Sequence, residues 1–430
     1  MKYYYITTLS NWILGYDKYK RIYSKTNLSE SKYPKDFYLL KEEELEIGLN
    51  KAINLINKLN ILNNKVIRIE TILNNIEKNI KNGLGWIIKD QNWISVNKVY
   101  IFEDNEWLEI SIEDITAQAY QLNNDKLLPY QKLKPRTLSL LPVARACQAS
   151  CKFCFSESSI SFDQKNNIVD LVNLEKICQN AKLRGCERFV ITGGGEPTLI
   201  KFEHLLNIIK ISRKYFNKTI LITNGLFLSE KEPNIIIEKT NALIEAGLNV
   251  LALSYHHYKR DVNNVIMNKE VKTDYLLNVL NENKLSNKLN IRLICVLQKE
   301  GINNEIEIEN YVNFAIKNNV KQICFKELYV SSTNESLYTE QKENQYCKDN
   351  QITLSVLINY LSDKAIKINE LPWGSPVYLY KEVKIAAYTE PSVGWERQNG
   401  IARSWNIMAD GKCFASLEDK NSIMEFENEL

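Results

Sequence analysis

The tightest constraint on this chain is the run Cys147-Gln148-Ala149-Ser150-Cys151-Lys152-Phe153-Cys154, with three thiols at C-x-x-x-C-x-x-C spacing and an aromatic residue before the last. Three thiolates on one tight loop can hold three irons of a 4Fe-4S cube, which normally takes four cysteines. The fourth iron is then open to a small molecule, which it can bind and supply with an electron. A structural zinc site would need C-x-x-C pairs converging to four ligands, and no second close pair of Cys or His is available. A disulfide framework fits poorly with nine cysteines, an odd number, in a chain read as lacking a secretory signal. Incidental buried thiols are the remaining alternative.

Further along stands Ile191-Thr192-Gly193-Gly194-Gly195-Glu196-Pro197-Thr198-Leu199, directly after the apolar run Phe189-Val190. Three glycines after a strand let the backbone approach a ligand closely, and Glu196 sets a carboxylate where an ammonium could be held. With both motifs in this order, residues 137–330 resemble the radical S-adenosylmethionine (radical SAM) enzymes, whose C-x-x-x-C-x-φ-C loop (φ aromatic) and G-G-E-P motif both occur here as written.

Length and composition set the remaining bounds. A chain of 430 residues buries a large core and divides into two or three domains. With 44% hydrophobic and 25% charged residues it has a globular composition. The net charge of +3 is spread without a dense basic block, so nothing in the charge pattern argues for nucleic acid. No apolar run reaches the roughly 20 residues of a membrane span. A cytoplasmic protein with reduced thiols and no membrane partner is expected.

Residues 1–132 read as an N-terminal α+β domain. A strand begins at Tyr3, helical periodicity runs over 41–81, and alternation returns over 85–88, 93–96, 99–102 and 107–110 with a turn at Asp104-Asn105-Glu106. Such a domain serves either as an architectural cap or in substrate recognition, where an edge strand pairs with a peptide backbone. From 133 to 330 strands alternate with helices. Strands are expected at 137–141, 189–191, 219–222, 250–253, 291–296 and 322–325, and helices at 174–183, 202–215, 233–246, 274–285 and 305–318. Six β-then-α units imply a parallel sheet with right-handed crossovers, curled into a (β/α)6 partial TIM barrel of the α/β class. The resemblance implies the same fold. The cysteine loop, Gly193 to Glu196, Thr223-Asn224-Gly225 and Ser254-Tyr255-His256-His257 then all leave the same rim, at the C-terminal strand ends.

The resemblance assigns the roles. Cys147, Cys151 and Cys154 ligate the cluster, and the open iron is chelated by the amino and carboxylate groups of S-adenosylmethionine. Gly193, Gly194 and Gly195, with Glu196, hold the methionine ammonium. Thr223 and Asn224 contact ribose or carboxylate, and Phe153 lies against adenine or simply packs the loop. Ser254 touches the cofactor and Arg292 pairs with its carboxylate, unless Ser254 only caps a helix and Arg292 faces outward. Of His256 and His257, adjacent on one strand, at most one faces the cavity as a substrate contact or proton handler. Reductive cleavage yields a 5′-deoxyadenosyl radical that abstracts hydrogen, and it calls for a flavodoxin- or ferredoxin-type reductant.

Residues 331–430 read as a C-terminal extension covering the barrel mouth. It holds only Cys347 and Cys413, too few for the cysteine-rich auxiliary-cluster extension of many peptide-modifying relatives. Epimerisation or rearrangement fits better than a reaction needing an internal electron acceptor. Cys413, in Met408-Ala409-Asp410-Gly411-Lys412-Cys413, is a candidate hydrogen donor to a substrate radical, against the simpler reading of a small buried hydrophobe. The expected substrate is a ribosomal peptide or natural-product precursor. The alternatives are an RNA- or nucleotide-modifying enzyme of the same kind, or a non-catalytic iron-sulfur module.

Overall fold

The computed structural model describes residues 3–8, 13–16, 22–25, 86–89, 92–103, 106–110, 127–157, 168–330, 341–391 and 393–426. The chain divides into two compact units, Met1–Lys126 and Leu127–Leu430. In the first, β1 (Tyr3–Thr8), β2 (Ile13–Tyr16), β3 (Ile22–Lys25), β4 (Trp86–Lys89), β5 (Asn92–Glu103) and β6 (Glu106–Ile110) form an antiparallel sheet in the order β3-β2-β1-β5-β4, with β6 also on β5. The runs 93–96 and 99–102, expected as separate strands, are one long strand, in which Asn97 is the extra residue where the register to β1 shifts between Thr7 and Thr8. The periodic stretch 41–81 lies outside the described residues.

The second unit begins with a short strand, β7 (Lys134–Pro135), and then follows the expected alternation. Strands β8 (Thr137–Leu140), β9 (Arg188–Ile191), β10 (Lys218–Thr223), β11 (Val250–Ser254), β12 (Asn290–Leu297) and β13 (Gln322–Glu327) lie side by side and parallel. Helices Leu171–Leu183, Phe202–Tyr215, Pro233–Ala246, Thr273–Glu282 and Glu305–Lys317 make the crossovers. Local signals fix their ends. Asp170 and Asn304 cap the first and last by accepting from the N–H groups of Val172 and Glu307, and Pro233 opens the third, where no donor is needed. Gly247, at φ 105°, closes that helix in the left-handed conformation.

Strands from the tail pair with this sheet at both ends. The tail's β14 (Ile366–Glu370), β15 (Pro376–Tyr380) and β16 (Val383–Tyr388) join the sheet beside β13. Strand β17 (Ile401–Ala402) pairs with β7, while β18 (Trp405–Ile407), β19 (Cys413–Phe414) and β20 (Ile423–Met424) join beside β8. The result is one twelve-stranded sheet in the order β14-β15-β16-β13-β12-β11-β10-β9-β8-β18-β19-β20. Strands β16 and β18 continue the parallel run, one on each side. The physical reason is the open edge: β8 and β13 would otherwise expose rows of unpaired backbone groups.

Side-chain parity separates the two faces of this sheet. On β13, Ile323, Phe325 and Glu327 are buried under the helices, while Gln322, Cys324 and Lys326 point the other way and are only half-buried. That inner face carries an apolar middle layer of Ile220, Val250, Ala252 and Ile294, with Val190, Ile222 and Cys324 against it. Among the described residues no helix is long and apolar enough to cross a membrane.

Candidate functional site

The cysteine loop leaves the C-terminal end of β8 and is pinned on two sides. Ser150 N–H donates to the Met267 carbonyl (3.0 Å), Cys151 Sγ lies 3.9 Å from the same oxygen, and Cys154 N–H closes a turn on Cys151 O (3.1 Å). Ala149 and Cys151 pack on Leu226, Met267 and Val271. Met267 belongs to helix Arg260–Met267, an element the sequence did not announce because its one apolar stripe is interrupted by Asn263 and Asn264. Burial pushes the Cys151 thiol up to about 12, and its neighbours Cys154 and Cys147 add to the effect. A thiolate at Cys151 calls for a positive partner such as iron.

The glycine loop is pressed onto the backbone of the cysteine loop. A Cβ on Gly195 would sit 2.2 Å from the Ala146 carbonyl oxygen, and one on Gly194, at φ +127°, 2.4 Å from that of Val143. Only glycine permits this approach. Glu196 N–H then bonds to Ala146 O (2.8 Å), and Gly194 N–H to Ser156 Oγ (3.2 Å).

Glu196 is buried, 3% exposed, and does more than wait for an ammonium. Its Oε1 accepts from Thr198 N–H (3.1 Å), Thr198 Oγ1 (2.6 Å) and Thr223 Oγ1 (2.7 Å), and its Oε2 from Asn224 N–H (2.8 Å). Burial raises its pKa, and these donors oppose the rise. The carboxylate therefore ties the loop after β9 to the end of β10. Asn224 continues the chain of contacts: its amide donates to Gln148 Oε1 (3.2 Å) and reaches Cys147 Sγ (3.8 Å), while its Oδ1 accepts from Leu226 N–H (3.0 Å).

His256 and His257 lie just beyond the end of β11, outside the strand, and have different partners. His256 is buried with its ring edge-to-face with Phe153, centroids 5.0 Å apart, and its Nδ1 accepts from Val296 N–H (3.2 Å). Desolvation holds its pKa down at about 3, so it is a neutral imidazole at ordinary pH and its remaining proton sits on Nε2. In that state His256 presents a hydrogen-bond donor. His257 turns to Glu307 on helix Glu305–Lys317, with Nε2 3.1 Å from Oε2, on the helix side of the sheet. Phe153 packs with Val296, Leu328, Val330 and Cys347 and so walls one side of the loop. Ser254 ends β11 half-buried, with no hydrogen bond from its hydroxyl among the described residues.

Two of the expected site residues lie away from the rim that carries the cysteine loop. Arg292 does face inward but at the wrong end of the sheet: it opposes Ala252, two residues below Ser254, and its guanidinium is spent on Gln322 Oε1 (2.8 and 3.2 Å). Cys413 is paired opposite Ile407, itself opposite Leu140, a residue of the helix-facing side, and its charge is felt by Cys178 on helix Leu171–Leu183. Its thiol is buried, and the register sets it on the helix-facing side of the sheet.

The donor set suits the group the sequence implies. Three neighbouring thiols on one loop, a glycine backbone with no room for side chains, and the Asn224 amide beside Cys147 fit a 4Fe-4S cluster with a small polar ligand. Among the described residues no three His, Cys, Asp or Glu side chains close on a single metal ion.

Residues 141–309 match the family model of the radical SAM superfamily. Comparison with curated proteins gives no match. Among solved structures, Streptococcus suis SuiB bound to its precursor peptide SuiA is similar at 16% identity, over 96% of this chain and 83% of that one, with a TM-score of 0.43. SuiB bound to S-adenosylmethionine gives 14%, 79%, 83% and 0.43 in the same order. Coproporphyrinogen III oxidase (HemN) from Escherichia coli gives 13%, 58%, 56% and 0.35. Likenesses at these identities and scores say nothing about what this chain acts on.

Proposed function

This chain carries a radical SAM domain over residues 141–309, of the superfamily of enzymes that work with a 4Fe-4S cluster and S-adenosylmethionine, and from that premise we propose that it takes a hydrogen atom from a C–H bond of a peptide. When bound, the cluster supplies the electron that splits the sulfonium into methionine and a carbon radical able to abstract hydrogen. Cys147, Cys151 and Cys154 are the residues that would hold it. The single observation carrying the reading is the joint brace of Glu196, which fixes the glycine loop and the Asn224 turn around the cysteine loop in one buried network.

The remaining residues bind, orient and exclude water. The Ser254 hydroxyl and the His256 Nε2 proton are the polar groups offered at the rim. Phe153, Val296, Leu328, Val330 and Cys347 make an apolar wall that keeps bulk water from the loop. The peptide reading is supported by the N-terminal unit, whose described strands form an antiparallel sheet, the kind of architecture on which strand addition works. A flavodoxin- or ferredoxin-type protein is the proposed electron source. With Cys347 beside Phe153 and Cys413 under the helix layer, the tail's two thiols are not gathered for a second cluster, so an outcome without net oxidation, epimerisation or rearrangement, is favoured.

The test is anaerobic reconstitution with iron, sulfide, dithionite and S-adenosylmethionine. Release of 5′-deoxyadenosine is expected, and none from Cys151→Ala. A short peptide encoded beside the gene is then added in deuterated water. A product of altered mass or retention supports the peptide reading. Cleavage of S-adenosylmethionine with the peptide returned unchanged refutes that reading alone.

A further inference from the structure

The inner face of the sheet has a second end, and its chemistry is unlike the first. Arg188 begins β9 and Lys218 begins β10, directly opposite each other in register. Across the sheet Arg292 on β12 opposes Gln322 on β13, which opposes Lys384 on β16. Two residues further along these strands come Val190, Ile220, Ile294 and Cys324, the apolar middle layer. Residues two apart share a face, so all four cations lie on the inner face, one layer closer to the N-terminal strand ends.

Among the described residues these cations have little to neutralise them. Among the described residues none of Arg188, Lys218, Arg292 and Lys384 forms an ion pair, and the one side-chain hydrogen bond among the four is that of Arg292 to Gln322 Oε1. They feel each other instead. Lys218 is held down to about 8, first by burial and then by Arg292, Arg188 and Lys384. Burial and Arg188 also lower Arg292. Arg136, just before β8, is lowered by burial and by Arg188, and the acid that opposes this is Glu187. Lys321 and Glu382, nearby in sequence, pair with each other at 3.8 Å on the exposed outside. Convergent, partly desolvated like charges are costly unless a counter-charge occupies the space between them.

We propose that the N-terminal mouth of this sheet is a binding site for a multivalent oxyanion of the phosphate type, held by Arg188, Lys218, Arg292 and Lys384, with the Gln322 amide as an additional donor. The donors come from four strands in one layer of the sheet, and several cations together suit a tetrahedral anion with several charged oxygens better than the planar, singly charged carboxylate. The apolar layer of Ile220, Val250, Ala252 and Ile294 separates this end from the cysteine loop, so the site is distinct from the one that binds the cluster and its nucleotide.

The experiment compares melting temperatures of the full-length, cluster-reconstituted protein in sodium phosphate, diphosphate and chloride at matched ionic strength and pH 7, with ³¹P line broadening as the direct readout. Phosphate or diphosphate is expected to stabilise the protein saturably over chloride. Lys218→Met should melt higher than wild type in chloride, because one repelling charge is gone. It should also need about tenfold or more phosphate for half-saturation, as the loss of one charge-assisted hydrogen bond implies. Lys384→Met, at a more exposed position, repeats the test should the first variant fold poorly. Equal melting in phosphate and chloride would overturn the site. So would a phosphate response retained in both variants, since salt exclusion from the surface acts without any site.

Discussion

Glu196→Gln separates a carboxylate that braces the loops from one that only meets a cofactor. The wild-type group accepts four hydrogen bonds, three on Oε1 and one on Oε2, from donors that include the backbone N–H groups of Thr198 and Asn224. Glutamine keeps one acceptor and turns the other into an NH₂. In the better orientation that NH₂ faces the Asn224 N–H, donor against donor, in a site only 3% exposed. Two unsatisfied buried donors cost about 1–3 kcal/mol each, and the three bonds that survive lose their charge assistance. Relief of the burial penalty that raises the carboxyl pKa offsets part of this. A net loss of about 2–4 kcal/mol follows, and for a unit of this size each kcal/mol lowers Tm by about 2–4 °C. The assay is thermal melting of the cluster-free protein under reducing conditions, with no S-adenosylmethionine present. A drop of several degrees is expected. If the variant melts like wild type when cofactor-free and differs only in affinity for S-adenosylmethionine, the brace is refuted and the carboxylate is a ligand alone.

Three further outcomes follow from the same geometry. Gly195→Ala forces a Cβ to within 2.2 Å of backbone that cannot move aside, so iron content after reconstitution should fall markedly below wild type, and an unchanged iron count would contradict the packing. His256 titrates at about 3 when folded and near its ordinary 6.5 when unfolded. The unfolded chain therefore takes up a proton the folded one does not, and this group's contribution is present above pH 6.5 and lost as pH falls toward 3, at up to about 1.4 kcal/mol per pH unit, a slope that denaturant titrations should find reduced in His256→Gln. Cys413→Ala should cost about 1 kcal/mol of stability by removing a buried sulfur, and leave 5′-deoxyadenosine release and solvent-deuterium incorporation unchanged; loss of deuterium alone would return the thiol to the chemistry.

The six-strand alternation was legible because each unit repeats a strong local contrast. A short apolar run such as Leu293-Ile294-Cys295-Val296-Leu297, buried on both faces, is followed by the Asn304-capped helix Glu305–Lys317. The short tail strands carry no such contrast. β18 and β19 span three and two residues, and their existence depends on the open edge of β8 rather than on any periodicity of their own. Helix Arg260–Met267 was missed for a related reason: eight residues interrupted by two asparagines look like a loop. Its Asn263 nevertheless holds the His256 backbone through Oδ1 (2.7 Å), and its Met267 carbonyl holds the cysteine loop.

At the site, spacing carried the residue types, but only register carries depth and face. Arg292 has the same parity as Ile294 and so faces inward as a cofactor contact must, yet it is the third residue of its strand, whereas Ser254 is the last of β11. At about 3.3 Å per residue the two-residue offset in register puts Arg292 roughly 6–7 Å below the rim, among the other cations. Cys413 fails on the other coordinate. Its facing depends on pairing with Ile407, which depends in turn on β18 lying against β8, a long-range fact that no local window contains. The same reasoning explains why the basic cluster was invisible as a block of charge: Arg188, Lys218, Arg292 and Lys384 are spread over nearly 200 positions and converge only because each stands near the start of a strand in one parallel run.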